Sequence, residues 1–193
     1  MYDRPAPLQD KDWPGAVADM RSGFAGSLNV YRAMANHPAL LRAWSDLRDH
    51  IVNRNRLGHE LSEVAILRIG LGHGARYEWV QHVVRGHERG LSLERIQSLK
   101  GPLSQMAPQD ALVAEAVDSL LRQSKLDAGL QERLSAAVGI DGMIDLMATV
   151  GFYSTLAFIL NSFEVPLEDE MLARFYRLAD SDSDLGMPNI HSP

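Results

Sequence analysis

Two residues four apart, Glu78 and His82, stand out in the stretch HELSEVAILRIGLGHGARYEWVQHVVRGHERG that runs from His59 to Gly90. On a helix this spacing projects both side chains from one face, with Ala75 and Arg85 close to it. A further carboxylate, Glu63, falls in the first turn of the preceding predicted helix. A corner folding the two helices together brings it near His82 and collects carboxylate, imidazole and carboxylate in one place. Those groups can relay protons, but a free glutamate titrates near about 4.3 and a free imidazole near about 6.5. Work at neutral pH therefore requires burial or neighbouring charge to bring acid and base into range. The plainer reading of Glu78 and His82 is a surface helix pair worth a few tenths of a kcal/mol.

The elements that must position these groups can be read from the sequence. Ser62 is a predicted cap for an apolar run (Val64, Ile66, Leu67, Ile69, Leu71) that stops at a Gly-His-Gly turn. A second helix is predicted from about Ala75 to Arg89. Gly90 is placed to end it, and Ser92 to cap a short helix that follows. Upstream, a short helix is expected from about Ser27 to Asn36, closed by His37 before Pro38, since the residue before a proline is pushed out of the helical region. Pro38 then opens a helix to roughly Asn53, whose Leu40, Leu41, Trp44, Leu47 and Ile51 recur at helical spacing and read as core. Downstream, helices are expected over about Ala111–Arg122, from a cap at Asp127 to about Val138, over about Gly142–Phe163 and over Met171–Leu178. The stretch KGPLSQMAP between them reads as a loop. No alternating strand pattern of useful length occurs, so the expected class is all-α, a single-domain helical bundle. Residues 1–15, rich in proline, form an expected extended arm, residues 16–178 the helical domain, and residues 179–193 a loose polar tail.

Composition removes several function classes. There is no cysteine, so disulfides, thiolate metal sites and thiol chemistry are excluded, and a reducing compartment fits. A net charge of -6 without a basic block argues against a nucleic-acid surface. The N-terminus has neither the apolar core of a signal peptide nor a lipidation motif. Asp145, Ser154, Thr155 and Asn161 interrupt the one strongly apolar helix, so no membrane span is expected and a cytoplasmic location is.

The glutamate at Glu63 followed by A-R-Y-E-W-V-Q-H and then G-L-S resembles the signature helix pair of the carboxymuconolactone decarboxylase and alkylhydroperoxidase D-like superfamily. Weaker similarity extends to NVYRAMANHPALLRAW and LMATVGFYSTLAFILNSFEVPLED, so the resemblance covers about residues 14–169. In the peroxidase branch the pattern is Glu, then Cys-x-x-Cys-x-x-x-His. Here the glutamate falls on Glu63, the first cysteine on Ala75, the second on Glu78 and the histidine on His82. The resemblance implies an all-helical fold, a proton-relay role for Glu63 and His82, and assembly into trimers or hexamers. The apolar helix over Gly142–Phe163 has room for such contacts between identical subunits.

With both cysteines absent, a thiol peroxidase, the second class to weigh, is not expected. The expected function is a cofactor-independent lyase or isomerase of the decarboxylase type, acting on a small carboxylated or lactone-type metabolite. His82 is the expected proton carrier, Glu63 orients it, and Glu78 is a second acid or base. Tyr77, Arg76 and Arg85 are candidates to meet a substrate carboxylate, and Trp79 an apolar wall. A metal held by His73, Glu78 and His82 is the weaker alternative, because their spacing matches no ligand motif, and no metal or cofactor is expected. His59 reads as an exposed helix partner of Glu63, and His37, His50, His87 and His191 as surface or capping residues. A non-catalytic binding or assembly protein on the same scaffold is the other class that stays open.

Overall fold

In the computed structural model, residues 4–179 and 185–186 are described. Among them nine α-helices follow in order: α1 (Phe24–Ser27), α2 (Asn29–Met34), α3 (Pro38–Asp49), α4 (Gly58–Gly72), α5 (Arg76–Glu88), α6 (Leu93–Ser98), α7 (Pro108–Gln123), α8 (Ala128–Phe163) and α9 (Asp169–Ala179). No strand occurs among the described residues. The all-α expectation therefore holds.

A helix that is apolar on nearly every side is stable only when covered, and α4 is placed accordingly. Nearly every residue from Ser62 to Leu71 is buried, and α5, α7 and α8 pack around it. Helices α4 and α5 run antiparallel, because Gly86 near the end of α5 lies against Glu63 and Leu67, whereas Gly70 near the end of α4 lies against Glu78 and Trp79. Two glycines thus let the backbones approach at both ends of the pair. A β-carbon on Gly86 would sit 3.0 Å from Leu91 Cδ1 and 3.6 Å from Glu63 Cβ, whereas one on Gly70 would find ordinary contacts at 3.5 Å. Gly86→Val should destabilise by about 1–3 kcal/mol through overpacking. Gly70→Ala should be neutral or stabilising by up to about 1 kcal/mol, the helix-interior gain of alanine over glycine. Denaturant unfolding of the two variants checks this, and the opposite ranking would contradict the packing described.

Several predicted boundaries are found as read. Gly90 follows α5 with φ 107°, a conformation open to glycine at little cost. Ser92 accepts from Arg95 N and Asp127 from Leu130 N as caps. Others shift. Ser62 is no cap, since α4 has already begun at Gly58; its hydroxyl donates to Gly58 O at 2.6 Å and lies 2.9 Å from Asn55 Oδ1. The helix expected over Ser27–Asn36 is split by Leu28, whose backbone is extended. The two late helices expected on either side of residues 139–141 form one element, α8, broken only at Gly139 (φ 76°, ψ 171°).

Among the described residues α8 alone is long and apolar enough to cross a membrane, but half of its most apolar window is buried inside the fold. Its Asp145 accepts from Arg56 N and meets His50 Nε2, each at 2.7 Å. The proline-rich arm lies on α2, with Arg32 Nη1 donating to Leu8 O at 2.7 Å and Leu8 N to Arg32 O at 3.2 Å. Of the tail expected to be loose, only Ala179, Leu185 and Gly186 are among the described residues. Leu185 is fully buried, and its carbonyl accepts from the Trp79 indole at 2.9 Å, so at this point the tail is anchored.

Candidate active site

The antiparallel pair brings Glu63 of α4 and Glu78 and His82 of α5 into one buried array. Glu63 is fully enclosed, and both of its oxygens are engaged, Oε2 by His82 Nδ1 at 2.6 Å and Oε1 by Arg89 Nη1 at 2.7 Å. Burial alone would raise its pKa; the charge and hydrogen bond of His82, with Arg89 and Arg85 beyond, lower it below the ordinary glutamate value. For His82 burial pulls the pKa down, yet the charge and hydrogen bond of Glu63 and the contribution of Glu78 leave it raised. Each partner thus favours the charged form of the other.

An ionised carboxylate only accepts, so Nδ1 must carry a hydrogen toward Glu63, and Nε2 is the nitrogen free to exchange a proton. Nε2 lies 3.3 Å from Glu78 Oε2. The imidazole edge meets the Tyr153 ring with centroids 5.1 Å apart and planes at 88°. Glu78 and His82 face a cavity of about 20 Å³, whose walls also include Tyr31, Arg48, Arg85 and Tyr153. Glu63 stands behind His82 and does not reach this space. A cavity of that size holds one water, so a metabolite enters only if its rim opens. Burial pushes the Tyr31 hydroxyl up to about 12 and that of Tyr153 well above the ordinary phenol value. Both stay protonated and can donate to an anion, but cannot serve as bases at neutral pH.

The remaining expected site residues divide. Arg85 lines the cavity. Tyr77 does too, but its hydroxyl donates to Glu168 Oε1 at 2.6 Å, and Glu168 also receives Gln81 Nε2 and Asn29 N. Burial and the Glu168 carboxylate raise the Tyr77 pKa, so this phenol braces α5 against the segment before α9. Trp79 and Arg76 do not line the cavity. A helix turns about 100° per residue, and so one position past Glu78 the indole points to Leu185, while two positions before it Arg76 opens on a separate cleft beside Leu160, Asn161 and Val165. His73 is also elsewhere, its Nε2 2.8 Å from Ser154 Oγ and its ring against Phe158, so it cannot join Glu78 and His82 around an ion. Among the described residues no group of three His, Cys, Asp or Glu side chains is arranged to hold a metal.

Four residues at the site were not picked out by the sequence reading. Arg89 could have been, because it lies two helical turns after His82 and so on the same face. Arg48, Tyr31 and Tyr153 come from α3, α2 and α8, and only long-range packing brings them here.

No protein-family model matches the sequence, and no curated protein matches it. Solved structures do resemble the fold. The alkylhydroperoxidase AhpD core of an uncharacterized peroxidase-related protein from Ralstonia eutropha JMP134 superposes with a TM-score of 0.74 at 13% identity, covering 88% of this chain and 96% of that one. An uncharacterized peroxidase-related protein from Silicibacter sp. TM1040 gives 0.72 at 15%, covering 90% and 97%. The debrominase Bmp8, in complex with 2,3,4-tribromopyrrole, gives 0.68 at 16%, covering 92% and 98%. The chain thus has the alkylhydroperoxidase D-type helical fold, as the helix-pair motif implied, and on that fold it carries no cysteine.

Proposed function

We propose that this chain is a cofactor-independent acid–base enzyme, a lyase or isomerase acting on a small carboxylated or lactone-type metabolite. The observation that carries the reading is the array of Glu63, His82 and Glu78, in which the imidazole is hydrogen-bonded to the buried Glu63 at one nitrogen and faces Glu78 and a cavity with the other. In a decarboxylation the carbon–carboxylate bond breaks, CO2 leaves, and the electron pair remains as an enolate. His82 Nε2 then gives its proton to the carbanion carbon, Nδ1 keeps its hydrogen in the bond to Glu63, and Glu78 returns a proton from solvent to Nε2. The neutral hydroxyls of Tyr31 and Tyr153 are donors suited to the enolate oxygen. An isomerisation uses the same groups, Glu78 taking the proton and His82 delivering one elsewhere. That Bmp8 holds a small flat molecule on this fold fits a small-molecule site here.

The test is to incubate purified protein with a metabolite extract in heavy water and to follow by mass spectrometry which carboxylates lose CO2 or gain deuterium at carbon. Consumption by the wild type and not by His82→Ala is expected. Equal consumption by both proteins, or none by either, would leave a non-catalytic binding or assembly protein as the better reading.

The reading includes self-association through α8. Ile140, Ile144 and Phe158 are large apolar residues exposed on it at spacings that keep them on one stripe. Light scattering should give a multiple of the 21.4 kDa chain mass. A monomer at micromolar concentration would remove this part of the proposal, and Ile144→Glu should dissociate the assembly.

A further inference from the structure

Two buried polar atoms at the cavity have no hydrogen-bond partner, Arg48 Nε and Glu78 Oε1. They are complementary, one a donor and the other an acceptor, and both belong to residues that line the same small space as His82. Leaving a buried donor or acceptor unmade is costly, so each points to a group that binds there. The Arg48 guanidinium rests on ring faces, 4.0 Å from the Phe24 centroid and 5.7 Å from that of Tyr31, and these hold its plane without giving Nε an acceptor. Arg48 and Arg85 outweigh the one carboxylate of Glu78 among the walls, so the cavity favours an anion.

We propose that Arg48 anchors the carboxylate of a small substrate that also presents an O–H or acidic C–H to Glu78 Oε1, the class of hydroxy acids and enolisable oxo acids. The proposal rests on the acid–base reading for its catalytic meaning, but the binding it describes does not depend on turnover. Each orphaned atom selects one feature: Nε requires an acceptor and prefers a charged one, and Oε1, with no hydrogen of its own when ionised, requires a donor. In the resting protein the space is the size of one water. Entry is through the rim, where Arg48 and Arg85 are only half-buried, while Glu78, His82 and Tyr153 beneath them are buried. The anchored end lies at Arg48, so the hydrogen-bearing atom comes to Glu78 and Nε2 of His82, where proton transfer takes place.

Three probes separate the two features. Glycolate has the charge and the hydroxyl, acetate only the charge, and glycolamide only the hydroxyl. Titrations followed by protein-observed NMR, reading the arginine Nε–Hε signals, should show glycolate binding at least about tenfold tighter than glycolamide, and more tightly than acetate, as charge-assisted hydrogen bonds require. Arg48→Gln should collapse the glycolate preference over glycolamide, and Arg48→Lys, which keeps the charge without Nε, should weaken it. Glu78→Leu should abolish the preference over acetate while leaving that over glycolamide. His82→Gln should lower glycolate affinity but keep the order of the three probes, because Arg48 Nε and Glu78 Oε1 both remain. No saturable binding of glycolate to the wild type, or preferences unaltered by Arg48→Gln, would overturn the anchor. If glycolate binds as described but no carboxylate is ever turned over, the acid–base reading fails and the anchor stands.

Discussion

His82→Ala should cut turnover of the true substrate by at least about a hundredfold, the low end of what a placed general acid or base contributes. The expectation follows from the two ends of the imidazole. Nδ1 is committed to Glu63 at 2.6 Å, and Nε2 alone faces the cavity, so no other group on the walls can present a proton held by the same buried carboxylate. Glu63→Gln should act in the same direction, because it keeps shape and hydrogen bonding but removes the charge that raises the His82 pKa. Glu78→Gln should matter less if Glu78 only returns protons from solvent. The alkaline limb of the rate profile should lie above the ordinary imidazole value in the wild type and move down in Glu63→Gln. On related chemistry the same chain should be silent: with no cysteine, dithiol-driven peroxide reduction should be absent. Full activity of His82→Ala would end the relay proposal, and measurable peroxide turnover would mean that the scaffold works by another route.

Glu63→Ala should cost about 3 kcal/mol of folding stability, the lower part of the range for breaking a buried ion pair, since Arg89 can still reach solvent whereas His82 cannot. The pH dependence of this loss is diagnostic. Glu63 has a lowered folded pKa, so its contribution is present above its ordinary value of 4.5 and is lost as pH falls through the folded value. His82 has a raised folded pKa, so its contribution is complete below 6.5 and is lost as pH rises through the folded value. The gap between wild type and Glu63→Ala should therefore be widest between about 4.5 and 6.5 and narrow on either side. On the alkaline side it should not close, because Arg89 remains paired with Glu63 in the wild type. Urea unfolding across this range measures it, and a gap independent of pH would mean that Glu63 acts by shape alone.

The helix pair was legible because its signals are local. Apolar spacing, the Gly-His-Gly corner, Gly90, Ser92 and Asp127 each act within a few residues, and the structure places them as local rules require. The joining of Glu63 to His82 was legible for the same reason, since the helices that carry them are joined by a short corner. Ser62 misled because a serine before an apolar run can be a cap or an interior residue, and Asn55 and Gly58 upstream decide which. Arg48 was hidden by its neighbours: α3 repeats leucines and a tryptophan at helical spacing, and nothing in that pattern says that an interposed arginine turns toward the rings of Phe24 and Tyr31. Trp79 failed as a wall because adjacency in sequence to Glu78 is divergence around a helix.

The bond from the Trp79 indole to the Leu185 carbonyl ties the back of the α5 helix to the last described part of the chain. A truncation placed before Leu185, or a tag that displaces it, would strip the buried Trp79 N–H of its acceptor. Removing a buried hydrogen-bond partner costs about 1–3 kcal/mol. For anyone preparing the protein, trimming the polar C-terminus to aid crystallisation is thus not neutral, and an affinity handle belongs beyond Leu185 or at the other end.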